Sequence, residues 1–108
     1  MFIYNKTGYE CPFDYFINLL KGKWRTTIIV ALATKPRRFS QLQKLAAGIS
    51  AKVLADNLEA LEAGNILTRK VYPTVPPIVE YSLTAEGVEL AKIMETINQW
   101  AHQYMQRD

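Results

Sequence analysis

Residues 39–67, FSQLQKLAAGISAKVLADNLEALEAGNIL, carry the pattern of two helices joined by a tight turn. Ser40 followed by Gln43 predicts a capping box at the start of the first helix, because both side chains can bind amide donors that lack a partner at a helix end. Gly48 marks the turn, and Ser50 supplies the cap of the second helix. The sequence therefore predicts a helix pair in which each helix has its own start signal.

One face of the second helix carries leucines at i, i+4 and i+7, a spacing that places them together on a buried side. These residues are Leu54, Leu58 and Leu61. The opposite side consists of Lys52, Ala55, Asp56, Glu59 and Glu62. Gly64 and Asn65 end the helix, since both residue types tolerate a left-handed cap. A helix held from behind, with Ser50, Ala51 and Lys52 free at its front, suits a DNA major groove, although an ordinary helical hairpin in a small bundle fits the same pattern.

Basic residues concentrate before and at the start of this second helix. Residues 21–52 include eight basic side chains and no acidic one, whereas from residue 53 onward four basic side chains face eight acidic ones. The eight are Lys21, Lys23, Arg25, Lys35, Arg37, Arg38, Lys44 and Lys52. The positive electrostatic field of these residues, called the basic field below, favours a polyanion as partner. Each phosphate that is neutralised releases condensed counterions. A solvated basic face without a partner is the alternative.

Length and composition restrict the class of protein. With 108 residues, 49% of them hydrophobic, the chain is expected to form one globular domain. No apolar run approaches the roughly 20 residues of a membrane span, and residues 1–10 lack a signal-peptide pattern, so we expect a cytoplasmic protein without a membrane partner. A single cysteine excludes a disulfide within the chain. His102 is the one histidine, and no metal-ligand cluster, phosphate loop or paired nucleophile is present, so no enzyme, metal or cofactor is expected.

The residues before the helix pair predict two further helices. Cys11 followed by Pro12 reads as a helix start, because proline is favoured at the first helical position. A second helix is expected from about Lys23, with an apolar, central middle part. Arg37 and Arg38 then lead through a short strand into the helix pair, where both side chains could reach phosphate. Residues 1–10 are more apolar than a free tail needs and are expected to lie against another surface.

After Asn65 the hydrophobic period changes from 3.6 to 2, which predicts two strands around a proline-rich loop. Pro73, Pro76 and Pro77 stiffen that loop. A hairpin next to a helix pair is typical of a wing that touches the minor groove or the DNA backbone, and a plain hairpin that covers the core is the alternative.

The last helix is predicted to start at Thr84, with Glu86 in its first turn stabilising the helix dipole. An apolar stripe follows at steps of three and four residues. It consists of Leu90, Ile93, Met94, Ile97, Trp100, Ala101 and Tyr104. A domain of this size has too little core to cover so long a stripe, so we predict a homodimer that buries the stripe in its interface, with help from the first helix and the apolar residues 1–10.

Several ordered motifs resemble one protein family. CPFDYF, KGKW, RFSQL, GISAKVLADNLEALE, YPTVPPIVEYSLT and the closing helix with Trp100 are similar to the HxlR-type winged-helix transcriptional regulators, relatives of the MarR-like group. The resemblance covers about residues 11–104. It implies an α+β, mostly α fold, a winged helix-turn-helix with N- and C-terminal dimerisation helices in a single domain over residues 1–108. Its parts are the helix pair at 40–63, the wing at 67–83 and the C-terminal dimerisation helix at 84–104.

The resemblance also implies a function and a set of contacts. The chain is expected to be a dimeric, sequence-specific regulator that binds double-stranded DNA at a palindromic operator, with the helix from Ser50 to Ala63 in the major groove. The candidate DNA-binding residues are Arg37, Arg38, Ser40, Ser50, Ala51, Lys52, Asp56, Lys70, Tyr72 and Thr74. Asp56 could accept a hydrogen bond from a cytosine amino group. Ile78 stands where the family commonly has a basic residue, which weakens the expected grip of the wing on phosphate.

Cys11 is similar to the N-terminal cysteine that many members of this family use to sense oxidants or electrophiles. A thiol at a helix N-terminus lies at the positive end of the helix dipole, which favours the reactive thiolate. A buried, inert cysteine is the alternative. A small-molecule or oxidant effector is thus possible, and the aromatic residues Phe13, Tyr15, Phe16 and Trp100 could line a ligand pocket or fill a dimer core.

A different class of function is a winged helix that binds proteins and has no operator. Such a module would present an apolar outer face on the second helix of the pair, and Ser50, Lys52 and Asp56 argue against one.

Overall fold

A computed structural model describes residues 11–106 and contains helices and strands in mixed order. The elements are α1 (Pro12–Leu20), α2 (Arg25–Thr34), β1 (Arg37–Arg38), α3 (Phe39–Leu45), α4 (Ala51–Ala63), β2 (Leu67–Tyr72), β3 (Ile78–Leu83) and α5 (Ala85–Met105). The mostly helical α+β architecture with a winged helix-turn-helix is confirmed. The expected packing of residues 1–10 lies outside the described residues.

Most helix ends lie where local sequence signals place them. Pro12 occupies the first turn of α1, and Ser50 and Thr84 cap α4 and α5 with their side chains. Gly48 in the turn between α3 and α4 has a φ of 94°. Asn65 has a φ of 61°, so it supplies the left-handed residue that ends α4. These predictions are confirmed.

Two helix starts differ from prediction. Ser40 does not cap α3, because β1 runs directly into this helix and extended Arg38 holds the N-cap position. The amide of Arg38 donates to Gln41 Oε1 at 2.9 Å, so Gln41 takes the reciprocal role that was predicted for Gln43. The helix α2 begins at Arg25, two residues after the approximate start that was predicted at Lys23.

The sheet ties the hairpin to the helix pair. Its strand order is β1-β3-β2, and both pairs are antiparallel. The central strand, β3, pairs with β2 from Leu67 opposite Leu83 to Tyr72 opposite Ile78. Because β1 immediately precedes α3, its pairing with β3 fixes the hairpin beside the helix pair. The hairpin is thus placed as a wing.

The core lies between α2, α3, α4 and the start of β2. Its fully buried side chains are Ile28, Ile29, Leu42, Leu54, Leu58, Leu61 and Leu67. The central position of α2 and the buried leucine face of α4 are confirmed. Among residues 11–106, none of the helices combines the length and the apolar character that crossing a membrane requires.

The corner between α4, β2 and α5 is closed by side-chain hydrogen bonds and by one close approach of the backbone. Thr84 Oγ1 donates to Asn65 O at 2.7 Å and accepts from the Gly87 amide at 2.9 Å. A Cβ at Gly87 would collide with the carbonyl oxygen of Ile66, so only glycine lets α5 approach β2 this closely. Asn65 Nδ2 also donates to Glu86 Oε1 at 3.0 Å. These contacts fix where α5 leaves the sheet.

Candidate nucleic-acid interface

The N-terminal turn of α4 is the exposed end of a helix whose opposite face is buried. Ser50 Oγ accepts from the amide of Val53 at 3.1 Å, which satisfies one of the free donors at the helix start. Ala51 and Lys52 are exposed, whereas Leu54 is fully buried. The structure therefore brings three of the predicted contact residues together at one protruding helix end.

Lys52 and Asp56 form an ion pair on the outer face of α4. Lys52 Nζ lies 3.0 Å from Asp56 Oδ2, and the two side chains are 85% and 63% exposed. A pair this exposed contributes little to stability, because water screens the attraction. The ammonium group can exchange Asp56 for a phosphate or a base edge at little cost. Together the two residues offer a donor and an acceptor side by side, the groups that read guanine and cytosine in the major groove.

The two arginines before α3 have different surroundings. Arg37 Nε donates to Ala31 O at 2.7 Å, and its Nη2 donates to Thr34 Oγ1 at 2.9 Å. Its half-buried guanidinium group thus binds the last turn of α2, where helix carbonyls lack partners. Arg38 is exposed. Of these two candidate phosphate ligands, Arg38 is the one whose side chain faces solvent.

The strands of the wing carry a row of charged and aromatic side chains. Lys70 Nζ lies 4.8 Å from the ring centroid of Tyr72, whose hydroxyl donates to Glu80 Oε1 at 3.2 Å. In the strand register, Glu80 on β3 lies opposite Lys70 on β2 and opposite Arg38 on β1. A carboxylate thus stands between two candidate phosphate ligands. This role of Glu80 was not predicted from the sequence, because the partner strand β1 has two residues and is too short to carry a periodic signal.

The loop of the wing presents an apolar tip. Thr74 Oγ1 donates to Pro76 O at 2.8 Å, so its proton is used within the loop. Val75 is 99% exposed, and Ile78 is half-buried at the start of β3. The strand β2 contains two basic residues, and Lys70 is the one nearer to this tip.

A second surface, the apolar face, runs along α1 and α5. Its exposed side chains are Phe13, Ile17, Ile93, Ile97, Trp100 and Tyr104. A groove of about 960 Å³ between α1, α2 and α5 adjoins this face and is lined in part by Phe16, Met94 and Ala101. Leu90 is 9% exposed and belongs to the core of the chain itself. Of the stripe predicted for the dimer interface, the solvent-facing part therefore begins at Ile93.

Cys11 lies at the N-cap of α1, next to the apolar face. Its side chain is exposed, which contradicts the alternative of a buried, inert cysteine. The carbonyl oxygen of Cys11 accepts from the amide of Tyr15 at 3.3 Å, so the residue is part of the first turn of the helix. Any modification of the thiol would occur at the start of α1.

Comparisons with known proteins agree with this geometry. The model of the HxlR-like helix-turn-helix family matches residues 19–108. An uncharacterized HTH-type transcriptional regulator of Halalkalibacterium halodurans is 42% identical over 92 residues, which are 84% of this chain and 81% of the relative. The redox regulator HypR in its oxidized form is 33% identical with a TM-score of 0.79, and the match covers 91% of this chain and 99% of that one. The reduced transcriptional regulator YodB from B. subtilis is 33% identical with a TM-score of 0.80, over 91% of this chain and 97% of that one.

Proposed function

The chain belongs to the HxlR-like helix-turn-helix family of transcriptional regulators, and we propose that it binds duplex DNA as a homodimer with α4 in the major groove. The observation that carries this proposal is the exposed first turn of α4 with Ser50, Ala51 and Lys52, held from behind by buried leucines. The polar outer face of α4 also supports DNA as the partner in preference to an apolar protein surface.

The proposed contacts divide into two sets. Ser50, Ala51, Lys52 and Asp56 face base edges, where donors, acceptors and small apolar groups distinguish base pairs. Phosphate contacts come from Arg38, Ser40 and Lys70. Tyr72 and Thr74 join them when their hydroxyl protons leave Glu80 and Pro76 O. In this proposal Arg37 acts indirectly, because its guanidinium group is bonded to the end of α2. The wing contributes weakly, since Glu80 lies between its two basic neighbours.

A twofold partner is proposed to cover the apolar face. Side chains as large as Trp100 and Phe13 are 57% and 62% exposed, and burying them against a second copy would remove apolar surface from water. Residues 1–108 then form one domain, in which α1 and α5 dimerise and the helix pair and wing contact DNA. A symmetric dimer matches a palindromic operator whose half-sites lie about one helical turn, roughly 10 base pairs, apart.

Cys11 is proposed to make the regulator responsive to oxidants or electrophiles. The support is its exposure at the start of α1, together with the similarity to the redox regulator HypR. Because α1 borders the apolar face, a disulfide with a second thiol would push on the dimer contact and thereby on the spacing of the two α4 helices.

Footprinting on the DNA upstream of the chain's own gene, with and without diamide, tests this function. We expect one protected palindrome at moderate salt and loss or change of protection after oxidation. Protection without sequence preference, or no protection even in dilute buffer, would contradict operator binding. An unchanged footprint after oxidation would contradict only the role of Cys11.

A further inference from the structure

One arginine joins three helices behind the DNA-facing end of α4. Arg25 is the first residue of α2, and its Nη1 donates to Leu19 O in the last turn of α1 at 2.8 Å. Its Nε donates to Asn57 Oδ1 on α4 at 3.1 Å. The side chain is half-buried, so these bonds are partly shielded from water. Arg25 was counted in the basic field of the sequence, but two of its nitrogens bind inside the molecule.

Asn57 extends this link to the first turn of α4. Its Nδ2 donates to Val53 O at 2.8 Å, and the amide of Val53 donates to Ser50 Oγ at 3.1 Å. The chain of hydrogen bonds therefore runs from the end of α1 through Arg25 and Asn57 to the capping residue of α4. Lys52 lies within the turn that this chain supports.

A packing contact joins the same two helices at a second point. A Cβ at Gly64, just after α4, would lie 2.8 Å from Leu19 Cδ1, so the end of α1 contacts the end of α4 closely. The end of α1 is thus attached to the middle of α4 through Arg25 and to its end through Leu19. A change in the tilt of α4 along the line between these two points would strain the hydrogen bonds of Arg25 or the packing of Leu19.

We propose that Arg25 is a positioning residue for DNA recognition, which sets the orientation of α4 relative to α1. The inference rests on the proposed binding of α4 to DNA. Since α1 also carries Phe13 and Ile17 on the apolar face, the link makes the orientation of α4 follow the dimer contact. Arginine suits this role because its planar group bonds two acceptors in fixed directions, whereas lysine offers a single flexible ammonium group.

The test compares operator and scrambled duplexes by fluorescence anisotropy at fixed salt. Arg25→Met and Asn57→Ala are each expected to weaken operator binding about tenfold, the equivalent of one hydrogen bond to a charged group. Arg25→Lys keeps the charge and should not restore affinity. Lys21→Met removes a neighbouring exposed charge and serves as the control for the basic field, with equal, small effects on both duplexes.

Non-additivity identifies the link itself. The double variant of Arg25→Met and Asn57→Ala should lose less operator affinity than the sum of the two single losses, because both substitutions break the bond between Arg25 and Asn57. Additive losses, or equal losses on operator and scrambled DNA in folded variants, would overturn the proposal. Asn57→Ala keeps every charge, and alanine is a good helix former, so the helix should persist. Full operator affinity in this variant would also overturn the proposal. If the unmodified protein does not distinguish the two duplexes, the proposed function fails before the role of Arg25 is reached.

Discussion

At the scale of single residues, Lys52 carries the most direct prediction. Its ammonium group is 3.0 Å from Asp56 in an exposed pair that can open without much cost. Lys52→Ala is expected to weaken operator binding by about 1–3 kcal/mol, the range for one good base contact. Lys35→Ala removes the same charge from an exposed position at the end of α2 and should have a smaller effect. Titration by anisotropy at fixed salt measures both, and unchanged affinity in Lys52→Ala would show that another face of α4 meets the DNA.

Cys11 gives a prediction about regulation. Cys11→Ser replaces an exposed thiol with a hydroxyl of similar size, so the fold and the affinity for the operator should persist. Diamide is expected to release DNA from the unmodified protein but not from this variant, because serine forms no disulfide. A variant that still loses the operator under diamide would refute the role of Cys11.

Asn65 gives a prediction about stability. Its φ of 61° is a left-handed conformation that alanine adopts at a cost of about 1–2 kcal/mol, so Asn65→Ala should lower the free energy of unfolding by about this amount. Asn65→Gly also loses the hydrogen bond to Glu86 but accepts the conformation, and should therefore be the more stable variant of the two. Urea unfolding compares the two variants, and equal stability would rule out backbone conformation as the reason for this residue.

At the scale of helices and strands, local sequence signals were sufficient to predict a helix end where the residues at that end determine it. Ser50, Thr84 and Asn65 were predicted correctly because capping groups lie within a few positions of the amide or carbonyl that they satisfy. The start of α3 was predicted wrongly, because the pairing of β1 with β3 decides where that helix begins.

The candidate contacts show the same division. The front of α4 follows from the spacing of its leucines, and its exposure agrees with the prediction. Arg25 and Arg37 were read as part of a solvent-facing basic field, yet they bind Asn57 and the end of α2. The bond from Arg25 to Asn57 crosses 32 positions, and no periodicity in a single sequence reports a contact that distant.

The helix α5 carries a prediction about assembly. Ile97 is 48% exposed and lines the groove beside the apolar face, so Ile97→Glu would place a charge in the proposed interface. We expect this variant to be monomeric and to lose operator affinity, as measured by light scattering after gel filtration and by anisotropy. Thr96→Glu introduces the same charge at the neighbouring exposed position and should remain dimeric. A dimeric Ile97→Glu would place the interface elsewhere.

At the scale of the whole molecule, charge and apolar surface are separated along the chain. Eight basic residues lie between residue 21 and the first turn of α4 with no acidic residue among them, whereas the apolar face follows α1 and α5. The link from α1 through Arg25 to α4 joins the two regions. We infer that dimer formation and DNA binding are coupled. A displacement of α1 in the dimer interface would change the orientation in which α4 meets DNA.

Sedimentation velocity of the purified chain, alone and mixed with a fluorescent operator duplex, measures dimer formation and DNA binding in one experiment. We expect a free particle of about twice the 12.3 kDa mass of one chain and a complex of two chains on one duplex. A 12.3 kDa monomer that leaves the duplex sedimenting as free DNA, even at low salt, would contradict this expectation.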